Sequence, residues 1–343
     1  MKFVNHIEPV MPRDARGVVA DVYAEARREF GRLPEPVSML SPDEDLLAAW
    51  WASLRETLLA GEVPRARKEA VAAAVAATQR CPWCIDAHTT MLYAAGDSAT
   101  AAAILADEEP SVSDPKAPYV AWARGTSTPC CPAAPFGTDS TVEYLGTAMI
   151  FHFVTRLVLV LLDETFLPGG SRAQSLARRA AGIAFARKVR ANHRPGVATD
   201  RLKSYPLPDD LGWAASSPPV AASYAALTGR LEEAQHLPEP SRAVVRRAIA
   251  AWRGETMPIS SGWTKEHTDG LPEELRPATR LALLTSLAPH QITDADVAAA
   301  RTLLHSDAAL VTGLAWSAWS AARRVAGWIA RPTAATSEAR KMP

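Results

Sequence analysis

Cys81 and Cys84 stand three residues apart in the run Cys-Pro-Trp-Cys, with His88 four residues beyond the second thiol and Glu69 twelve residues before the first. Two thiols at this spacing at the head of a helix can close a disulfide without moving the backbone, and a histidine at i+4 from Cys84 shares its face and can act as its base. Free cysteine has a pKa of about 8.5, so the thiolate needs help at neutral pH. Pro82, after the polar Gln79 and Arg80, marks a helix that begins near Cys81, and the positive field of its first turn favours the thiolate. Glu69 lies in an Ala/Val-rich helical run, 67–79, that contains no glycine or proline. Its carboxylate cannot touch Cys84 along its own helix, so it reaches the thiols only if the next helix folds back on it. These are the groups of thiol redox chemistry.

The stretch 67–96, RKEAVAAAVAATQRCPWCIDAHTTMLYAAG, closely resembles the core motif of the alkylhydroperoxidase D-like and carboxymuconolactone decarboxylase superfamily: a glutamate, eleven residues, Cys-x-x-Cys, three residues and a histidine. Glu69, Cys81, Cys84 and His88 match it position by position. GRLPEPVSMLS at 31–41, the Trp50/Trp51 pair and the segment 143–162 are similar to the same superfamily, so the resemblance covers about the first half of the chain, to residue 167. It implies that Cys84 attacks peroxide, that Cys81 resolves it as a disulfide, and that Glu69 and His88 relay protons. It also implies small helical units assembled into a symmetric homo-oligomer. The family's best-known peroxidase carries a further relay histidine immediately before the second cysteine. Trp83 stands there in this chain, which places an aromatic side chain against the substrate.

The expected function is therefore a thiol-dependent oxidoreductase, a peroxidase or dithiol–disulfide exchanger, acting on a hydroperoxide and restored by an external dithiol. The alternative keeps the pocket and discards the redox cycle: Glu69 and His88 would serve as general acid and base on a small carbonyl metabolite, as in the decarboxylase branch.

Other candidate residues are fewer. On the apolar run 143–162, His152 and Arg156 stand at i and i+4 on one face, with Glu143 upstream. An ionisable pair in an apolar helix is costly to bury unless partnered. His152 and Arg156 are expected either to line the pocket and orient a substrate carboxylate or carbonyl, or to form an ion pair with Glu143 or another acid. Cys130 and Cys131 lie in the proline-rich TPCCPAAPFG. With Cys81 and Cys84 they would complete a four-thiol zinc set, but adjacent cysteines rarely both reach one tetrahedral ion and no second Cys-x-x-Cys exists, so no metal site is expected. They read as a loop feature, with electron relay to Cys81 and Cys84 as the functional alternative. The turn Pro168-Gly169-Gly170-Ser171 is too short for a phosphate loop and matches no nucleotide-binding spacing, and no cofactor is expected. His193, His236, His267, His290 and His305 have no partner at a useful spacing.

At 343 residues, 48% hydrophobic and 22% charged, the chain has the composition of a soluble globular protein and is long enough for two domains. Its formal net charge is zero, which recommends neither nucleic acid nor an anionic membrane as partner. MKFVNHIEPV holds no secretory apolar core, and the apolar run 147–162 is interrupted by His152 and Arg156. The cytoplasm is the expected location, and its reducing conditions suit free thiols.

Ala/Leu/Arg-rich periodic segments separated by prolines predict an all-α fold, with helices at 14–30, 44–59, 65–79, 82–95, 99–106, 116–124, 141–162 and 174–190. The proline-rich segment 191–219 reads as a linker between a thiol-bearing domain, 1–190, and a second, 220–343. Residues 237–255 can be laid on 63–81 without a gap, and 313–323 on 146–156. The chain thus reads as tandem helical units with a degenerate second copy, because Ala243 and Glu255 then stand where Glu69 and Cys81 are. Leu314, Trp316, Trp319, Val325 and Trp328 form an apolar stripe that serves either as core or as cover for a neighbouring subunit.

Overall fold

Prolines, glycines and small polar caps divide the chain into the helices that carry the thiols. The computed structural model describes residues 4–162, 171–191 and 193–330. It is all-α: among the described residues no β-strand forms, only the isolated bridge pairs Val4–Leu162 and Ala60–His193.

Helix α1 (Gly17–Phe30) ends where Gly31 turns left-handed at φ 74°. A single turn, α2 (Glu35–Ser38), precedes α3 (Glu44–Leu54), whose first turn is capped by the Asp43 side chain. A π-helical turn over Arg55–Leu59 prolongs α3. The alanine-rich α4 (Arg65–Thr78) starts after Pro64. Next, α5 (Pro82–Ala95) takes Cys81 as its N-cap and a proline at its start, and it stops at Gly96. Two shorter helices, α6 (Ser98–Leu105) and α7 (Ala117–Gly125), lead to the long α8 (Thr138–Leu161) and to α9 (Ser171–Val189). The second half contains α10 (Pro218–Glu233), α11 (Glu239–Ala251), α12 (Trp263–Thr268), α13 (Arg276–Leu287), α14 (Asp294–Ala300) and α15 (Asp307–Ile329). Pro168, Gly169 and Gly170 lie outside the described residues.

Packing follows the apolar faces. Helices α4 and α5 lie against each other, α9 covers α5, and α8 packs on α4 and on α15. Among the described residues α8 is the helix with the length and apolar composition of a membrane span, but 94% of its most apolar stretch is buried inside the fold. It is the central core helix. One contiguous apolar core runs from Ile7 to Ala326 through both halves. Asp43 ties them together, accepting from Arg230 of α10 at 3.1 Å and from Thr312 of α15 at 3.1 Å.

The stripe Leu314, Trp316, Trp319, Val325 and Trp328 is buried within the chain itself, against α8, α10 and α13 among others, and so is not free to cover a neighbour. The segment 193–219 lies along this body: Ala198, Leu211 and Ala214 are buried, and Arg201 pairs with Glu25 of α1.

Gly61 shows how tightly the approach to α4 is made. Its φ of 107° suits glycine, and a Cβ there would sit 2.3 Å from the carboxylate of Glu143. That carboxylate accepts from Glu62 N at 2.8 Å and from Lys68 Nζ at 2.6 Å. Glu143 is therefore the partner of Lys68, not of Arg156.

Candidate active site

The short turn through Gln79 and Arg80 folds α5 back along α4, and this brings Glu69 to the thiol helix. Both cysteines are buried and free, and their sulfurs lie 2.7 Å apart. Cys81 Sγ also accepts from Cys84 N at 3.4 Å and so caps the helix that carries the second thiol. Glu69 is fully buried; its Oε2 meets His88 Nδ1 at 2.7 Å. The His88 ring stands edge-on to Phe151 of α8, with centroids 4.4 Å apart. With Nδ1 engaged by a carboxylate, Nε2 is the ring nitrogen left for the cavity that His88 lines together with Cys84.

That cavity encloses about 90 Å³. Trp50, Leu54 and Leu58 of α3 and its extension, Phe151, Val154 and Val158 of α8, and Phe185 of α9 form its walls, with Trp83 beside Cys84 and Phe30 and Val37 toward α1 and α2. Its charged or titratable side chains are Cys84, His88 and Arg32, and Arg32 pairs with Glu35. Trp50 Nε1 is buried with no hydrogen-bond partner among the described residues.

The electrostatics differ from what helix geometry alone suggests. Burial pushes the Cys84 thiol well above its ordinary value, and the neighbouring Cys81 adds to the rise. In this apolar setting desolvation outweighs the helix-terminus field, so the resting thiol is protonated. Burial also pushes the Glu69 carboxyl up, but the Arg65 charge and the His88 hydrogen bond outweigh it and hold Glu69 below the usual carboxylate range. Arg65 Nε donates to Glu69 Oε1 at 2.9 Å. Arg65 escaped the motif reading, although its i−4 position on the same helix is the signal that could have found it.

The other candidates go elsewhere. His152 is buried between α4, α7 and α8, where Gln79 Nε2 lies 2.7 Å from Nδ1 and Thr126 Oγ1 lies 2.8 Å from Nε2. Arg156 Nε donates to Ser286 O at 2.9 Å, at the end of α13, and its Nη1 to His152 O. The structure does not bring these two to the thiol cavity; they line a separate, more polar one. Cys131 is half-buried with its thiol near Trp122 O, and Cys130 is exposed; neither lines the thiol cavity. Among the described residues no group of three or more His, Cys, Asp or Glu side chains converges as a metal ion would require.

Comparison with known proteins bears on the family. The carboxymuconolactone decarboxylase family matches residues 45–123, the span that includes α3, α4 and α5. Alkyl hydroperoxide reductase Rv2159c of Mycobacterium tuberculosis is 69% identical over 329 residues, covering 96% of each chain. This chain belongs to the alkylhydroperoxidase D-like, carboxymuconolactone decarboxylase family. No solved structure matches it. The matched residues contain Glu69, Cys81, Cys84 and His88.

Proposed function

We propose that the protein is a thiol peroxidase that reduces organic hydroperoxides through Cys84. The observation that carries this reading is the pair of free sulfurs 2.7 Å apart, with Cys84 on the same apolar cavity as an imidazole held by a buried carboxylate. The resting Cys84 thiol is neutral, so attack needs a base, and His88 Nε2 is the group for it. Glu69 fixes the imidazole's tautomer and stabilises the imidazolium that forms. Cys84 sulfur then attacks the terminal peroxide oxygen; the O–O bond breaks, the alkoxide takes a proton from His88, and an alcohol leaves. Cys84 is now a sulfenic acid. Cys81 sulfur attacks it, water leaves, and a disulfide remains, which an external dithiol reduces at the cost of its own oxidation.

The cavity wall supports an organic substrate over hydrogen peroxide, because nearly every side chain that would surround the peroxide's substituent is apolar. The Mycobacterium tuberculosis relative's description as an alkyl hydroperoxide reductase points the same way. Assembly into a homo-oligomer rests on the family resemblance.

Thiol titration before and after one equivalent of cumene hydroperoxide tests the proposal. Loss of the Cys81 and Cys84 thiols together, with one equivalent of alcohol released, is the expected result. The acid–base reading makes the opposite demand: a Cys81→Ser/Cys84→Ser double variant would keep full turnover on its substrate, and that outcome would end the redox assignment.

A further inference from the structure

A second cavity lies behind the turn that leads into the thiol helix, at the seam between the two halves of the chain. It encloses about 140 Å³ and is walled by Gln79 and Arg80 before α5, by His152 and Arg156 of α8, and by the segments around Trp252–Met257 and Leu287–His290. Nothing in the peroxidase cycle uses it.

Its charge is unbalanced. Arg156 is almost completely buried, yet among the described residues no carboxylate lies within ion-pair distance of it; Nε and Nη1 are spent on the carbonyls of Ser286 and His152. Those carbonyls anchor the side chain, the first at a helix C-terminus, where a cation is favoured. They do not neutralise it. Burial accordingly lowers its pKa to about 10. Arg80 stands exposed at the rim, makes no ion pair among the described residues, and adds its charge to the burial that disfavours protonation of His290. Glu255 is the acidic residue in the wall, and its carboxylate is engaged by Arg253 N at 2.7 Å.

Arg80 reaches the rim through an unusual backbone. Its φ of 53° is left-handed, at the position after α4 where glycine or asparagine would turn the chain without strain. An arginine there gives up conformational ease and sets a second guanidinium at the cavity mouth. Part of its lining is apolar, made of Trp252, Met257 and Leu287, which belong to one cluster.

We infer that this cavity binds a small organic carboxylate, with the charged end on Arg156 and Arg80 and the apolar body against Trp252, Met257 and Leu287. Both guanidinium groups line the cavity, one of them desolvated, which is where a charge-assisted hydrogen bond is strongest. A bare inorganic anion would meet the arginines but leave the apolar wall unused.

The test uses the full chain and three sodium salts at matched ionic strength: butyrate, phosphate and chloride, with thermal unfolding and calorimetric titration as readouts. Butyrate should raise the unfolding midpoint saturably and beyond the other two, and Arg80→Gln should weaken its affinity about tenfold. Arg156→Gln should abolish binding; because that variant loses anchoring contacts, Arg80→Gln, altered at an exposed position, carries the decision if it does not fold. Equal effects of all three salts, phosphate matching butyrate, or unchanged butyrate affinity in Arg80→Gln would each overturn the assignment. The last of these would also be the signature of butyrate entering the thiol cavity instead.

Discussion

Arg65 and Glu69 face each other one turn apart on α4, Nε to Oε1 at 2.9 Å, while the second oxygen of the same carboxylate meets His88 on α5. A fully buried carboxylate would ordinarily take up a proton; this one is kept ionised by a guanidinium on one side and an imidazole on the other. In the proposed cycle this gives the base, His88, a partner with a full negative charge beside a neutral thiol. Breaking this arrangement at Arg65 should therefore be felt both in stability and in chemistry.

Arg65→Met leaves Glu69 buried with His88 as its remaining polar side-chain partner. Removing one member of a buried ion pair costs about 3–5 kcal/mol, and urea unfolding should show a loss of that order. The Glu69 pKa should rise, so the acid limb of the peroxidase pH profile should move to higher pH. An unchanged acid limb in a folded Arg65→Met protein would show that Glu69 ionisation is not required.

Acid should destabilise the protein in two stages. His152 is held neutral: burial, with the Arg156 charge, lowers its pKa well below 6.5. The unfolded chain takes up this proton as pH falls below about 6.5 and the folded chain does not, so stability drops by up to about 1.4 kcal/mol per pH unit from that point. Glu69 acts lower down, because its folded pKa is depressed: its contribution is present above the ordinary carboxylate pKa and is lost as pH falls through the folded value. His152→Leu should shrink the first stage, to which His6, His236 and His290, their pKa values also lowered by burial, contribute as well, at a cost near neutrality of about 1–3 kcal/mol for the orphaned Gln79 amide. Unfolding free energies at pH 7.5, 6.5 and 5.5 measure the first stage and those at pH 4.5, 3.5 and 2.5 the second; an identical slope between 6.5 and 5.5 in wild type and His152→Leu would refute the assignment.

The meeting of Glu69, Cys81, Cys84 and His88 was legible in the sequence because short fixed spacings carry it, and the all-α class because alanine-rich periodicity is continuous between prolines. What could not be read was set by long-range packing. The local helix-terminus argument favoured a Cys84 thiolate, but burial by side chains of α3, α8 and α9 reverses it. His152 and Arg156 share a helix face with family-like residues, yet that face turns to α4, α7 and α13, away from the thiols. Glu143 was open to Arg156 in sequence and is taken by Lys68 in space. The proposed duplication gains support from one such contact: Lys68 donates to Ala60 O at 2.6 Å and Arg242 to Ala234 O at 2.7 Å, each reaching eight residues back. The gapless alignment of 63–81 on 237–255 pairs these two cations, and extending it by three residues pairs the two alanines. Two cations closing the same preceding turn is a relation that composition alone does not produce.

The two cysteines should fail differently. Cys84→Ser removes the attacking atom and should abolish turnover. Cys81→Ser should permit one attack per molecule and then stall as an oxidised Cys84, because no resolving thiol remains. Rapid-quench measurement of alcohol release, with mass spectrometry of the stalled protein, separates them. Equal single-turnover bursts from both variants would contradict the assignment of Cys84 as nucleophile. His88→Ala should retain the burst but slow it by about 10²–10⁴-fold.

Trp50 offers the sharpest separation of stability from function. Its indole Nε1 is a buried donor without a partner, on a side chain that lines the cavity with Cys84. An unsatisfied buried donor costs about 1–3 kcal/mol, so its presence weakens the resting fold. An oxygen of a hydroperoxide seated at Cys84 would give that donor an acceptor, and the bond would strengthen as charge builds on the departing alkoxide. Trp50→Phe deletes the donor and keeps much of the aromatic wall. It should leave unfolding stability within about 1 kcal/mol of wild type, because the lost packing and the removed orphan oppose each other. It should also lower kcat/KM for cumene hydroperoxide about tenfold, chiefly through kcat. A Trp50→Phe enzyme with undiminished kcat and unchanged stability would show that the indole nitrogen takes no part in the reaction.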